Sequence, residues 1–300
     1  MKKVPSLSRC GLCMSLLVGL AAILGSGCAS DEARRQAAYD RKLQRTEQLL
    51  VAAGDADSLA AAALLNIRPV NALRRLTLIE SAVSKAPERP DLVWLNIRLC
   101  SDVETCNPEP LEAQLRALDP ENGAAWFDSI GRAARRNDAV AVRKDLSAIA
   151  LSRRFDIYWN VTVAHVTNAL LKTHTLDLPT ALLDSIGLVS AIAVPPYQPL
   201  VNACKGDALQ DPEELGICRR VATVMRGGDT YLTDMVGIAI AKRVWPEGTP
   251  AYVDALSDMR VAHYRMETDA TLSGRGFLSS GYAAKRLQLM QEKRTEQEVV

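Results

Sequence analysis

Aromatic residues make up only 5% of this 300-residue chain, with three phenylalanines among them. Runs of Val, Ile, Thr and Tyr with strand-like alternation are equally scarce, while Ala, Leu, Arg, Gln and Glu fill most segments. That deficit argues against a sheet-based fold and for helices. A charge surplus is missing too, because 36 Lys and Arg stand against 35 Asp and Glu, a formal +1. Without a basic excess there is no electrostatic footprint for nucleic acid. The only histidines are His165, His174 and His263, and no H-E-x-x-H pairing occurs. Neither a metal nor a cofactor is therefore expected. Finally, the longest strongly apolar run, from Gly11 to Leu24, is 14 residues. A helix needs roughly 20 to cross the hydrocarbon of a bilayer, so a permanent transmembrane anchor is the poorer reading.

What that run does have is context. Lys2, Lys3 and Arg9 precede it, small residues Gly25, Ser26 and Gly27 follow it, and Cys28 comes next. A basic start, an apolar middle and a small-residue end form a secretory leader. Leu24, the small residues and Cys28 resemble the lipobox of bacterial lipoproteins, although Gly25 stands where that pattern has its leucine, three residues before the cysteine. The resemblance implies cleavage after Gly27 and a lipid on Cys28. It also implies residence in the cell envelope, on the periplasmic face of the outer membrane, because Ala29 is not the retention aspartate. Acyl chains contribute about 0.8 kcal/mol per buried methylene, so several would hold the chain at the membrane. Loss of Lys2, Lys3 and Arg9, with no acid, takes the formal +1 to about −2.

Cys10 and Cys13 depart with the leader, and Cys100, Cys106, Cys204 and Cys218 remain beyond Cys28. Four cysteines in an exported chain imply two disulfides with three possible connectivities. Proximity in sequence favours Cys100 with Cys106 and Cys204 with Cys218. The alternative, a zinc site, lacks C-x-x-C spacing among these four and has no nearby histidine.

Along the mature chain, residues 28–57 carry the anchor and a charged stretch that suits either a helix or a polar tether. Gly54 to Ser58 breaks and recaps the chain before an alanine-rich helix from about Leu59 to Ile67. Ala72, Leu76, Ile79 and Val83 then recur on one helical face, and Leu92, Leu95 and Leu99 follow a start at Pro90. Cys100 to Pro108 reads as a loop before a helix through Leu111, Leu115 and Leu118, and Asp119 to Gly123 as a turn. Leu182, Ile186, Val189 and Ala193 form a further apolar stripe. Helices are expected over 212–226, 229–244 and 249–270, with Thr230 or Asp229 as a cap. A last helix from about residue 281 points Ala283, Leu287 and Met290 inward. Residues 58–270 would then form the main domain and 271–300 a capping helix.

Trp94, Trp126 and Trp159 fall 32 and 33 residues apart near expected helix starts, a period typical of stacked helix pairs. The segment from Leu115 through Asp119-Pro120 to Trp126, followed by Ile130, Gly131, Asn137 and Asp138, resembles the junction between tetratricopeptide repeats. It covers about residues 70 to 175, and Gly131 lies one place too far from Trp126 for the repeat pattern. The fold class expected is all-α, an α/α superhelix of TPR-like helix pairs. Such solenoids offer a concave face to other chains, and the resemblance implies an adaptor or scaffold with a protein or peptide partner.

The residues give chemistry little purchase. Tyr158, Trp159, Asn160, His165, Asn168 and His174 form the richest polar and aromatic cluster, and His165 and Asn168 share a helix face. These two are the candidate contacts of a small ligand, or of an enzyme pocket, in the alternative function; packing explains Trp159 and His165 as simply. His263 and Glu267 lie one turn apart and read as an exposed pair. Ser273 to Gly281 has glycines like a phosphate loop but no preceding strand and no Gly-Lys-Ser ending, and reads as a connector. No G-x-S-x-G context is present, so no catalytic residue is assigned.

Overall fold

A computed structural model describes residues 13–65, 71–276 and 279–299 of the chain, with side chains from Glu32 onward except residue 275. Residues 1–12 of the expected leader, and Ile67 at the expected end of the alanine-rich helix, lie outside the described residues. The described residues are all-α, with no strand among them. Two compact units are present, Met1–Thr46 and Glu47–Val300.

The first unit consists of most of α1 (Cys13–Ala53). The charged stretch expected as helix or tether is helix, and residues 32–42 are exposed. Gln36 Nε2 donates to Asp40 Oδ1 one turn on, and Thr46 Oγ1 to the carbonyl of Lys42. Cys28 lies within the span of α1, its side chain outside the described set. No helix among the described residues is long and apolar enough to cross a membrane.

The second unit begins with the last turns of α1, whose Leu50 joins the core. It continues through α2 (Ala56–Leu65), α3 (Ala72–Lys85), α4 (Pro90–Cys100), α5 (Glu109–Leu118), α6 (Phe127–Arg135) and α7 (Ala139–Leu151). Then come α8 (Trp159–Lys172), α9 (Leu178–Ala193), α10 (Gln198–Ala203), α11 (Pro212–Met225), α12 (Tyr231–Val244), α13 (Pro250–Gly276) and α14 (Ser280–Glu292). Short polar residues start these helices as side-chain chemistry requires. Asp55 accepts from the main chain of Ser58, Asp138 from Ala141, Asp177 from Thr180, Asp211 from Glu213, and Thr230 from Thr233. Proline opens α4 and α11, where its missing N–H has no intrahelical partner to lose.

Burial sorts the helices. On α4 almost every side chain from Leu92 to Cys100 is buried, which makes it a central helix that neighbours cover all round. The run Ala60 to Ala63 on α2 is buried as well, and small side chains there let α3, α8 and α9 approach closely. Successive helices pack as neighbours in α2/α3, α3/α4, α4/α5, α6/α7, α8/α9, α11/α12 and α12/α13. Packing also joins elements far apart in sequence: α2 on α8, α4 on α9, α7 on α11, and α14 on α8 and α9.

Several boundaries differ from expectation. A 3-10 turn, Gly123–Trp126, precedes α6, so Trp126 stands just before the helix that begins at Phe127. Gly123 donates its N–H to the carbonyl of Arg154 at 2.8 Å, and this pairing with the segment before α8 imposes the tighter turn. The helix expected to stop at 270 runs to Gly276, so the first part of the expected connector is helical. There Arg286 of α14 holds Asp269, and Ser273 and Tyr282 join the same cluster, which supports the extra turns. The three evenly spaced tryptophans occupy unlike surroundings. Trp94 is buried in α4 and donates to the carbonyl of Ala193 at 3.1 Å, whereas half-buried Trp126 carries the Arg116 guanidinium 3.9 Å above its ring. Trp159 opens α8.

The cysteines fall in two close pairs, with Cys100 and Cys106 sulfurs 2.07 Å apart and Cys204 and Cys218 sulfurs 2.02 Å apart. Each of these four sulfurs thus has its partner at bonding distance. The first pair closes the loop after α4, and the second ties the end of α10 to the middle of α11.

Candidate functional site

The segment Arg153–Tyr158 between α7 and α8 is not helical, and its main-chain groups need partners from elsewhere. Asn122 and Asp229 supply them. Asn122 is fully buried; its Oδ1 accepts from the main-chain N–H of Ala124 and of Asp156, and its Nδ2 reaches the Asp156 carbonyl, Asp119 and the Tyr158 hydroxyl. Asp229, also fully buried, accepts from the N–H of Ile157 at 3.0 Å and of Trp159 at 2.9 Å. Between them Tyr158 turns left-handed at φ 61°, held by an N–H bond to its near neighbour Asp156. This knot aims Trp159 into the start of α8.

Burial, and then the charge of the neighbouring Asp156, pushes the Asp229 carboxyl well above the usual carboxylate range. Tyr158 donates to Asp119 at 2.7 Å, and burial together with that carboxylate raises its phenol. Arg294 approaches Asp156 at 3.6 Å, and Glu296 N donates to the Asp229 carbonyl, so the C-terminal turn closes on the knot. These acids are saturated with structural bonds and hold the loop; their role is positioning.

Next to the knot lies a cavity of about 620 Å³ between the starts of α8 and α12 and parts of α9, α13 and α14. Its walls are apolar, with Trp159, Ile186, Val194, Leu232, Met235 and Met266. Asp269, Ser273, Arg286, Tyr231 and Glu296 bring polar groups to it. Asp269 and Arg286 bind each other through paired contacts, and Glu296 Oε2 accepts from the N–H of Tyr231 at 2.9 Å. A second, more open hollow of about 830 Å³ lies between α6, α7, α10 and α11, where Val142, Leu146 and Pro199 are flanked by Arg135, Arg143 and Glu214.

Of the residues singled out in the sequence, His165 and Asn168 are both half-buried on α8. His165 Nδ1 lies 3.3 Å from Asp57 Oδ2, and Arg89 reaches the same carboxylate at 2.5 Å. Burial alone would raise the Asp57 carboxyl, but the hydrogen bonds and charges of His165 and Arg89 outweigh it and hold it well below its usual range. His165 thus meets a helix contact between α2 and α8. Neither His165 nor Asn168 lines either of the two cavities. His174 sits in the left-handed turn after α8, and His263 and Glu267 are exposed on α13. No cluster of three metal-ligating side chains exists among the described residues.

Tyr231, Met235, Met266 and Asp269 escaped notice in the sequence. They read as ordinary core and surface positions of two helices, and only the packing of α12 on α13 brings them to one cavity. Trp159 did stand out, but as packing.

One face of α13 is also unusual. Val253, Val261, Tyr264 and Leu272 are all exposed, with Tyr264 at 71%, and a 100° step per residue puts them within one sector. The opposite face, through Ala255 and Ala262, is buried. Comparison with known proteins adds no name to this arrangement: no family model, no curated protein and no solved structure matches the chain.

Proposed function

We propose that the chain is a lipoprotein of the bacterial cell envelope, anchored through Cys28 to the periplasmic face of the outer membrane, whose helical domain binds another protein as an adaptor or scaffold. The observation that carries the binding reading is the exposed apolar stripe of α13. Four large apolar side chains on one face are more than scattered surface hydrophobics, and such patches on folded proteins mark contact surfaces. A TPR-like superhelix is the finer form of the fold reading, supported by the packing of successive helices as neighbours. The packing of α2 on α8 and of α4 on α9 adds contacts beyond those a nearest-neighbour stack requires. Two cysteine pairs at bonding distance support export, since such pairs persist in oxidising compartments.

Two experiments test this reading. Cells fed labelled palmitate should label the wild-type chain and not Cys28→Ser; equal labelling of both would remove the anchor. A photoreactive residue at position 264 should capture the same envelope protein in repeated experiments, and Val261→Glu should abolish capture while changing stability by less than about 0.5 kcal/mol. Capture that Val261→Glu leaves intact would remove the α13 stripe from the proposal.

A further inference from the structure

The exposed stripe of α13 reads the same in both directions. Its positions, Val253, Ser257, Val261, Tyr264, Thr268 and Leu272, follow one another at steps of 4, 4, 3, 4 and 4. None of them is charged, although Arg260, His263, Arg265 and Glu267 are exposed among them. At 100° per residue all six fall within about 50° of a common line, along about 29 Å of helix. Thr268 is half-buried and the others are exposed.

A symmetric spacing has a consequence for pairing, because a two-fold contact sets the same patch of two identical chains face to face. With two copies of α13 antiparallel and the axis between Ala262 and His263, Val261 comes level with Tyr264 of the second copy. Ser257 then comes level with Thr268, and Val253 with Leu272. Large apolar side chains meet each other, and so do the two small hydroxyl residues. A partner of unrelated sequence would impose no such symmetry.

Charge agrees with the same register. Arg260 and Glu267 are exposed and make no ion pair within the described residues. Both lie on one flank of the stripe, about 70° and 90° from its middle. In an antiparallel pair like flanks adjoin, so Arg260 of one copy stands about 3 Å along the axis from Glu267 of the other, and the contact occurs twice. On the opposite flank Arg265 meets Asp258 at the same offset, and the Asp258 side chain beside Arg226 is still 45% exposed. Such rim pairs fix register more than they add affinity.

We propose that the partner at the α13 stripe is a second copy of this chain, docked as an antiparallel, two-fold helix pair. The proposal rests on the reading of the stripe as a contact surface and names its occupant. One helix face from each chain lies at the low end of interface sizes, so the pair is reversible.

The test is disulfide trapping in cells that make two differently tagged copies of the full chain. With Ser257→Cys in one copy and Thr268→Cys in the other, oxidation should link the two tags, since the pairing brings these positions within the roughly 4–7 Å between Cα atoms that a disulfide spans. With Ser257→Cys in both copies the sites stand about 16 Å apart along the axis and should stay unlinked, whereas a parallel pair would link them. Arg260→Glu in both copies should lower the linked fraction of the Ser257→Cys and Thr268→Cys pair at least about fivefold. Adding Glu267→Arg to the same chains should restore it to within about twofold. No link between the tags, a link through Ser257→Cys alone, or linkage indifferent to the charge reversal and its compensation would overturn the proposal. Unlinked tags together with capture of a different envelope protein from position 264 would exclude the second copy and leave the stripe a contact surface. Unlinked tags with no capture from position 264 would remove both readings.

Discussion

Replacing Asn122 by alanine would strand the N–H groups of the buried residues Ala124 and Asp156. Each unsatisfied group costs about 1–3 kcal/mol, so Asn122→Ala should lower the free energy of unfolding by about 3 kcal/mol, read by urea titration. Titration of a second residue can be read in the same way. Burial, and then Asp258, raises the half-buried Asp234 carboxyl from 3.8 to about 6, against the pull of Arg226 and Arg265. A carboxyl raised in the folded state holds its proton where the unfolded chain has lost it. Its cost is absent below pH 3.8 and grows as pH rises to about 6. Asp234→Asn should therefore gain about 1 kcal/mol on wild type between pH 4 and pH 7, a figure reduced for solvent screening. Asp57 acts with the opposite sign: its contribution is present above pH 3.8 and is lost as pH falls below it.

At the scale of elements, α11 and α12 meet at Gly237. A Cβ added there would stand 2.6 Å from Arg226 N and 2.8 Å from the Met225 carbonyl carbon, both main-chain atoms that cannot swing aside. Gly237→Ala should push the helices apart and cost about 1–3 kcal/mol, measured by thermal or urea unfolding. The Cys204–Cys218 pair ties the middle of α11 to the end of α10. It closes a loop of about 15 residues, for which chain entropy gives about 3 kcal/mol, so replacing both cysteines by serine should lower stability by that amount. An unchanged urea midpoint would mean that the pair does not restrain the unfolded chain.

Across the second unit, the long-range contacts of α2 with α8, α4 with α9 and α14 with α8 tie early, middle and late helices together. An array joined only to nearest neighbours can unfold piecewise from an end, but these closures oppose that. Far-ultraviolet circular dichroism and tryptophan emission should report one shared urea midpoint for the domain. Midpoints that separate would show that the closures do not couple its parts.

The helices were legible in the sequence because each follows from local rules. Apolar residues at steps of three and four set the faces of α3 and α4, and Thr230 and Pro90 marked the starts of α12 and α4. The cysteine partners were favoured by nearness along the chain. The cavity was not legible, because Trp159, Tyr231 and Met266 belong to three helices and no spacing in the chain records their meeting. The spacing of the tryptophans leaves their surroundings open for the same reason: period places a side chain on a helix, while its surroundings depend on which helix packs there. Local periodicity and capping thus determined the elements from sequence alone. Which apolar face was left without cover was decided only when distant helices came together, since burial is a property of packing.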